Sequence, residues 1–459
     1  MSSEESLKTP GDVIIEETFI TLANGDNIDL KNFIVEFSLY EDVFSPCLTG
    51  NFLISDAANL ISDGPILGNE LITVKYRTPT LPDDPANVIS KSFQIYSIEN
   101  RVLNNDRESF YNIGVISREG FQNQFEALVK SYSGLTHEIV SDIYRTYIEK
   151  DRRVDVPDEP TKLLMSDTPH QSRIRYISNH WTPFENFLFI GKRSKGATLN
   201  GADYLFYESN KAYYFTSIEA MINLQKDVQF DEYVVEIQAG TIPRRSLGLA
   251  YSSQQFPDGM TRISGMKMPK TIDIIEGQKS GYHSNTIRGY DLTSKKMTES
   301  TFDFREQSSG VVKTDEGIPI PDSLPKNPYS FTQFVTYATS LFNDYGITDS
   351  LDLPDGNPAQ YITDRIHFRR SYLNSFKNYT FEIDIPGRTD IQVGHVINIL
   401  YPSAKEKVDN ENTPDKLFDP LLSGPYFISA IKHVIKQGEH LITAEVIKNG
   451  LAKSLGEPT

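Results

Sequence analysis

Two stretches of this chain, far apart in sequence, follow one plan. Residues 92–121 read SFQIYSIENRVLNNDRESFYNIGVISREGF, and residues 424–451 read GPYFISAIKHVIKQGEHLITAEVIKNGL. Each holds two runs of alternating apolar residues around a polar turn, the pattern of a half-buried β-hairpin. Each closes on Val-Ile, a few polar residues, Gly and a bulky apolar residue. The likeness extends backwards, where LGNELITVKY (67–76) resembles VGHVINILY (393–401). Ile95 then falls over Ile428, Ile98 over Ile431, and Val115-Ile116 over Val446-Ile447. Any two amphipathic hairpins share alternation. A shared order of glycine, strand, tyrosine, loop, hairpin and exit favours duplication over coincidence.

The rest of the first hundred or so residues is strand-like as well. Phe33, Val35, Phe37 and Leu39 lie on one face of a period-two run, with Glu36 and Ser38 on the other. Short strands between turn clusters such as SDGP and TPTLPDDP indicate an antiparallel barrel or sandwich. The period changes at Phe121: Phe125, Leu128, Val129 and Tyr132 keep helical spacing up to Gly134. A second helix is expected through Leu135, Ile139, Val140, Ile143 and Tyr147. Thr182-Pro183-Phe184-Glu185 marks a third helix start, with cap, proline and capping-box glutamate in order. DYLFYESNKAYYFTSI reads as a hairpin turning at Ser209-Asn210. Ser330 and Gln333 form a further capping box before Phe331, Phe334, Val335, Ala338, Leu341, Phe342 and Tyr345, which predicts a helix ending at Gly346. The segment before Lys377 is expected to be a loop, after which Tyr379, Phe381, Ile383 and Ile385 give a clean alternation.

The expected fold is therefore mainly β with an α+β insertion: two related antiparallel β-barrel domains plus a helix-containing module. The expected divisions are a flexible tail over 1–11, a first barrel over 12–120 and an α+β module over 121–230. A β-rich segment over 231–306 contributes to the second barrel region, a linker and amphipathic helix occupy 307–364, the second barrel spans 365–452, and 453–459 form a C-terminal tail.

Composition narrows the function. With 459 residues, about three domains are expected. No stretch approaches the roughly 20 apolar residues of a membrane span, so no membrane insertion is expected. The polar, acidic start MSSEESLKTPGD reads as a tail and not as a signal peptide. The single cysteine, Cys47, excludes intramolecular disulfides and fits a reducing cytoplasm. A net charge of -17 opposes gripping nucleic acid, whose affinity comes from neutralised phosphates. Abundant Tyr (24) and Phe (26) suit β-rich packing.

No catalytic, cofactor or metal constellation emerges. His433 and His440 fall on one face of the last hairpin if Gln437-Gly438 is its turn, yet no third ligand accompanies them, and solvated strand histidines are the expectation. GKRSKGAT (191–198) has the glycines of a P-loop but Ala197 where lysine is required. Asp349, Asp352 and Asp355 are spaced by three instead of two, and Gln360 stands where a calcium loop needs glutamate. Cys47, within VFSPCLTGNFL, reads as buried and structural. No Gly-x-Ser-x-Gly elbow or His-Glu-x-x-His pair is present.

Three stretches together resemble the baseplate hub protein of contractile-tailed bacteriophages, a family related to the N-terminal part of type VI secretion spike proteins. They are LKNFIVEFSLYEDVFSPCLTGNFLISDAANLISDGPILGNELITVKY, the run from WTPFENFLFIGKRSKGATLNGADYLF to the tyrosine-rich hairpin, and IDIPGRTDIQVGHVINILYPS with the last hairpin. The resemblance implies a homotrimer whose two tube-like barrels per chain make a pseudo-sixfold ring. Such a ring joins the hexameric tail tube to a trimeric central spike and leaves a channel for DNA. Implied partners are further copies of the chain, the tube protein, the spike protein and other baseplate wedge proteins. DNA would pass without specific binding, and the location would be the virion tail baseplate, assembled in the host cytoplasm. Because the chain stops at Thr459, soon after Leu451, the spike and any peptidoglycan-cutting domain are expected on another polypeptide. Arg365, Arg369 and Arg370 are candidate partner contacts, or else a solvated strand edge.

Two other readings compete. One is a carbohydrate-binding or peptidoglycan-hydrolysing tail protein, although the lone Trp181 beside a helix start does not suggest an aromatic glycan groove. The other is the hub of a phage-derived contractile injection particle.

Overall fold

The structure, a computed structural model, describes residues 9–452 apart from 64–65, 67, 69, 106–107, 150–161, 166–172, 197–198, 200, 227, 229–230, 236–258, 338–357 and 404–417. Its organising feature is the repeat. The first copy runs β1 (Ile14–Thr21), β2 (Asn27–Asp29), β3 (Ile34–Asp42), β4 (Thr49–Asp56), β5 (Leu71–Arg77), β6 (Val88–Asn105) and β7 (Glu108–Ser117). The second is assembled from β13 (Glu232–Val235), β14 (Arg262–Ile263), β15 (Gly265–Lys270), β19 (Tyr379–Pro386), β20 (Val396–Leu400), β21 (Gly424–Lys436) and β22 (Glu439–Lys448).

Five strands of each copy match in register, β3 to β7 in the first and β15 with β19 to β22 in the second, whereas β13 and β14 pair parallel where β1 and β2 pair antiparallel. Ile95 faces Val115 across β6 and β7, and Ile428 faces Val446 across β21 and β22. Both hairpins then slip by one residue, between Ile95 and Ser97 and between Ile428 and Ala430. Directly before that bulge, Ile95 N–H donates to Glu70 O at 3.1 Å and Ile428 N–H to His395 O at 2.8 Å. Leu71 faces Gln94 as Val396 faces Phe427. Gly68 and Gly394, the glycines of the two matching stretches, both hold positive φ, a conformation that costs glycine little. A bulge inserts an unpaired residue and increases twist, so an identical bulge at an identical place bends both hairpins alike.

Each copy buries its own core. Phe37, Phe52, Tyr76, Phe93 and Tyr111 fill the first, and Phe381, Ile383, Tyr426, Phe427 and Val446 the second. The strands of β19 alternate as the sequence demands, with Tyr379, Phe381, Ile383 and Ile385 all buried. The copies do not stand apart: β3 pairs antiparallel with β21, so among the described residues one fourteen-stranded sheet runs through both.

Between the copies lies a module with its own aromatic core. It holds β8 (Leu128–Leu135) paired with β10 (Arg173–Trp181), and β11 (Tyr204–Glu208) paired with β12 (Tyr213–Ser217), with β9 (Leu163–Met165) alongside β12. The helix Pro183–Gly191 begins as its sequence specifies: Thr182 Oγ1 accepts from Glu185 N–H, and Glu185 reaches back to Thr182 N–H. Thr136–Ile143 is also helical, but residues 128–135 are not. There, Leu128 and Tyr132 are buried on one face of β8. A spacing of four satisfies a period of two as well as one of 3.6, and strand pairing with β10 decides between them.

A third sheet joins β16 (Ser284–Asp291), β17 (Met297–Asp303) and β18 (Thr332–Tyr337). The expected helix from Phe331 is thus a strand at its start: β18 runs parallel to β16, and Phe334 is 65% exposed. Its β-branched and aromatic residues, Thr332, Val335, Thr336 and Tyr337, pair better than they coil. Ala338, Leu341, Phe342, Tyr345 and Gly346 lie outside the described residues. The expected loop before Lys377 is instead a long helix, Pro358–Ser375. The face it turns to β16 carries His367 and Ser371 in polar contact, while Tyr372, with Phe368 and Leu373, packs on the second core. Asn285 Nδ2 donates to Ser371 Oγ at 3.0 Å, and the Asn285 amide oxygen meets His367 Nδ1.

Candidate assembly interface

The joint between the copies is six pairs long, from Ala430 opposite Asp42 to Ile435 opposite Phe37. Its apolar lock is Ile435. It belongs to the second copy's hairpin but is buried in the first copy's core, at 1% exposure. Its polar lock is a buried relay. Glu41 Oε1 lies 3.2 Å from His433 Nε2, and His433 Nδ1 lies 3.0 Å from His440 Nε2. All three side chains are buried. Glu41 Oε1 accepts from His433 Nε2–H, and a single proton is shared between His433 Nδ1 and His440 Nε2. Burial, reinforced by His433 beside it, holds the His440 pKa well below its usual value. The two histidines are diagonal across the hairpin, as the turn at Gln437-Gly438 requires, but they are not solvated. The sequence contained one signal of this. Continuing Phe37 and Leu39 by two places puts Glu41 on the core face, and a buried carboxylate needs a partner.

The tyrosine-rich hairpin docks on the first copy through another buried pair. Lys91 of β6 meets Glu208 of β11 and donates to Ser209 O at 3.1 Å, while Leu48 N–H donates to Glu208 Oε2 at 2.9 Å. Cys47 packs beside this pair, and its thiol pKa is pushed up to about 12 by burial and by Glu208 and Glu119. A thiol so raised is no nucleophile.

Arg365, Arg369 and Arg370 lie on the Pro358–Ser375 helix and not on a strand edge, each half-buried. Arg365 Nη1 donates to Arg193 O at 2.9 Å, and Arg369 Nη1 to Ala202 O at 2.8 Å and Tyr204 O at 3.2 Å. Arg370 stacks over the Phe331 ring, 4.0 Å from its centroid, and donates to Gln333 Oε1 at 3.1 Å. The first two tie the helix to the central module and the third ties it to the third sheet. A cleft of about 770 Å³ lies between Phe44, Lys192, Arg369, Arg370 and Phe376.

Among the described residues, no three His, Cys, Asp or Glu side chains are grouped to hold a metal ion, and no helix is long and apolar enough to cross a membrane. Asp349, Asp352 and Asp355 lie outside the described residues.

The fold has relatives among solved structures. The tail protein from Neisseria meningitidis MC58 superposes at TM-score 0.51 and 8% identity, covering 95% of this chain and 99% of that one. The 43 kDa tail protein of prophage MuSo2 from Shewanella oneidensis gives TM-score 0.50 at 7% identity, over 95% and 99% of the two chains. The chain has a phage tail-protein fold. The likeness takes in both copies, the central module and the third sheet, since it covers nearly the whole of each molecule. No protein-family model matches the chain, and no curated protein matches it in sequence.

Proposed function

We propose that the chain is the structural hub of a phage tail baseplate. Three copies form a pseudo-sixfold ring that joins the hexameric tail tube to the trimeric central spike, with a channel for DNA. One observation carries this reading: a single chain holds the same five-strand unit twice, in the same register, joined edge to edge. Three such chains present six like units to a sixfold partner while keeping threefold symmetry towards the other. The likeness to tail proteins supports it. So does a net charge of -17, which suits a conduit that phosphates cross without sticking.

On this reading the partners are two further copies, the tube and spike proteins and the baseplate wedge proteins, and the protein resides in the virion tail after assembly in the host cytoplasm. It has no enzymatic role. The 12–120 and 365–452 stretches supply the two tube-like units, with β13 to β15 completing the second. Arg365, Arg369 and Arg370 offer their remaining exposed edges to partner contact. Sedimentation of the purified protein, alone and with its spike, tests the reading: a trimer is expected, and monomer or dimer under both conditions overturns it. Clearing of peptidoglycan in a zymogram would overturn the non-enzymatic part.

A further inference from the structure

The joint between β3 and β21 has a counterpart with one side missing. Shared register fixes the equivalences. Phe37 faces Phe52, which faces Ile113, which faces Ile98; Met266 faces Ile383, which faces Ala444, which faces Ile431. β15 therefore stands in the second copy where β3 stands in the first. By the same ladder, Val102 and Leu103 of β6 occupy the places of Val434 and Ile435 of β21.

Beyond its bulge, β21 exchanges pairing with β20 for pairing with β3. β6 loses β5 at the same point, after Gln94, and among the described residues nothing takes over. β15 likewise pairs only with β19, so its outer edge is open among the described residues. The side chains agree with the backbone. Ile435 is 1% exposed, whereas its counterpart Leu103 is 75% exposed and Val102 61%. Met268 and Ile272, on and just after β15, are exposed as well. Open strand edges carrying apolar side chains are normally blocked or used.

We propose that β15 of one copy adds antiparallel to the outer half of β6 of the next, in the register of the internal joint: Met266 opposite Leu103, and Lys267 opposite Val102. Leu103 then enters the neighbour's second core as Ile435 enters the first. Both strands carry an irregularity at the same level, between Glu99 and Val102 and between Lys267 and Lys270, so the two kinks face each other. Pro269 has no N–H to donate and limits the ladder to the stretch before it. Because the contact is head-to-tail it continues from chain to chain instead of stopping at a dimer, and on the hub reading it closes after three chains. The inference rests on the hub reading above and specifies how its ring is sealed.

The test is a disulfide across the new joint. Val102→Cys with Lys267→Cys in the full chain, oxidised after assembly with the spike, is expected to give covalent trimers on a non-reducing gel. Neither single variant should do so. Ser38→Cys with Val434→Cys, the equivalent pair of the internal joint, is the control and should close within one chain. A sedimenting trimer in which the control closes but the test pair does not would overturn this pairing and leave the ring reading standing. A wild-type chain that stays monomeric with the spike would overturn both. Leu103→Glu supplies the second arm. The side chain is exposed in the single chain, so the variant should melt like the wild type while trimer association weakens at least tenfold. Unchanged association would overturn the pairing.

Discussion

Glu41 Oε1 stands 3.2 Å from His433 Nε2 across the joint between the two copies, and His433 in turn meets His440 at 3.0 Å. A carboxylate from the first copy thus orients two buried rings from the second. Burial, with the His433 ring beside it, holds His440 neutral. His283 and His367 are similarly held neutral, each lowered to about 4 by burial, with Arg305 adding to the shift of His283.

These rings set a pH dependence. Each gains a proton on unfolding once the pH is below the unfolded value of about 6.5, but not in the fold, so the unfolded state binds more protons and stability is lost as the pH falls. The slope per histidine is up to about 1.4 kcal/mol per pH unit. For His283 and His367 the window runs from about pH 6.5 down to about 4. Buried Asp203 and Glu208, raised by burial, act with the opposite sign, so the comparison of variants is the cleaner measure. Denaturant melts of His440→Gln at pH 7, 6 and 5 should show a shallower loss than wild type. Parallel slopes would mean that His440 is protonated in the fold.

Phe381 is fully buried in the second core, against Tyr426 at 5.3 Å between ring centroids. Phe381→Ala should cost about 3–5 kcal/mol in equilibrium melts. A loss below about 1 kcal/mol would show that the core closes around the gap or that the residue is solvated.

Gly387 leaves space for the His440 ring: a Cβ there would collide with the ring atoms. Gly387→Ala should therefore cost about 1–3 kcal/mol by overpacking. In a His440→Ala background most of that cost should vanish, and equal costs in both backgrounds would place the strain elsewhere.

Arg369 donates to the carbonyls of Ala202 and Tyr204, joining the Pro358–Ser375 helix to the central module. Arg369→Met keeps the stem but strands those acceptors, and should cost about 1.5–3 kcal/mol for the charged hydrogen bonds lost. If the single chain melts unchanged while spike or tube binding weakens, the side chain works mainly at a partner surface.

On the proposed hub reading DNA crosses the ring, and such a ring must not hold it. The chain carries 62 acidic and 45 basic residues, so the channel face is expected to be net acidic. The purified trimer should fail to shift duplex DNA even at low salt, where attraction is least screened. A salt-sensitive shift would reveal a basic tract in the channel and remove the conduit role.

Some of this molecule was legible as sequence because local chemistry alone specified it. The paired hairpins, the Thr182 capping box and the alternation from Tyr379 to Ile385 all survive folding unchanged, since each depends on neighbours in the chain. Where a pattern admitted two periods, the partner decided. Leu128 and Tyr132 fit a helix or a strand until β10 arrives, and Phe331 with its followers fit a helix until β16 does. The Pro358–Ser375 helix was hidden because polar His367 and Ser371, buried against Asn285, interrupt the apolar residues Ile362, Phe368, Tyr372 and Leu373. The histidines of the last hairpin looked solvated because their partner, Glu41, is nearly the whole chain away. Periodicity records which face of an element is apolar. Whether a polar face meets water or a matching polar group is settled only when distant strands come together.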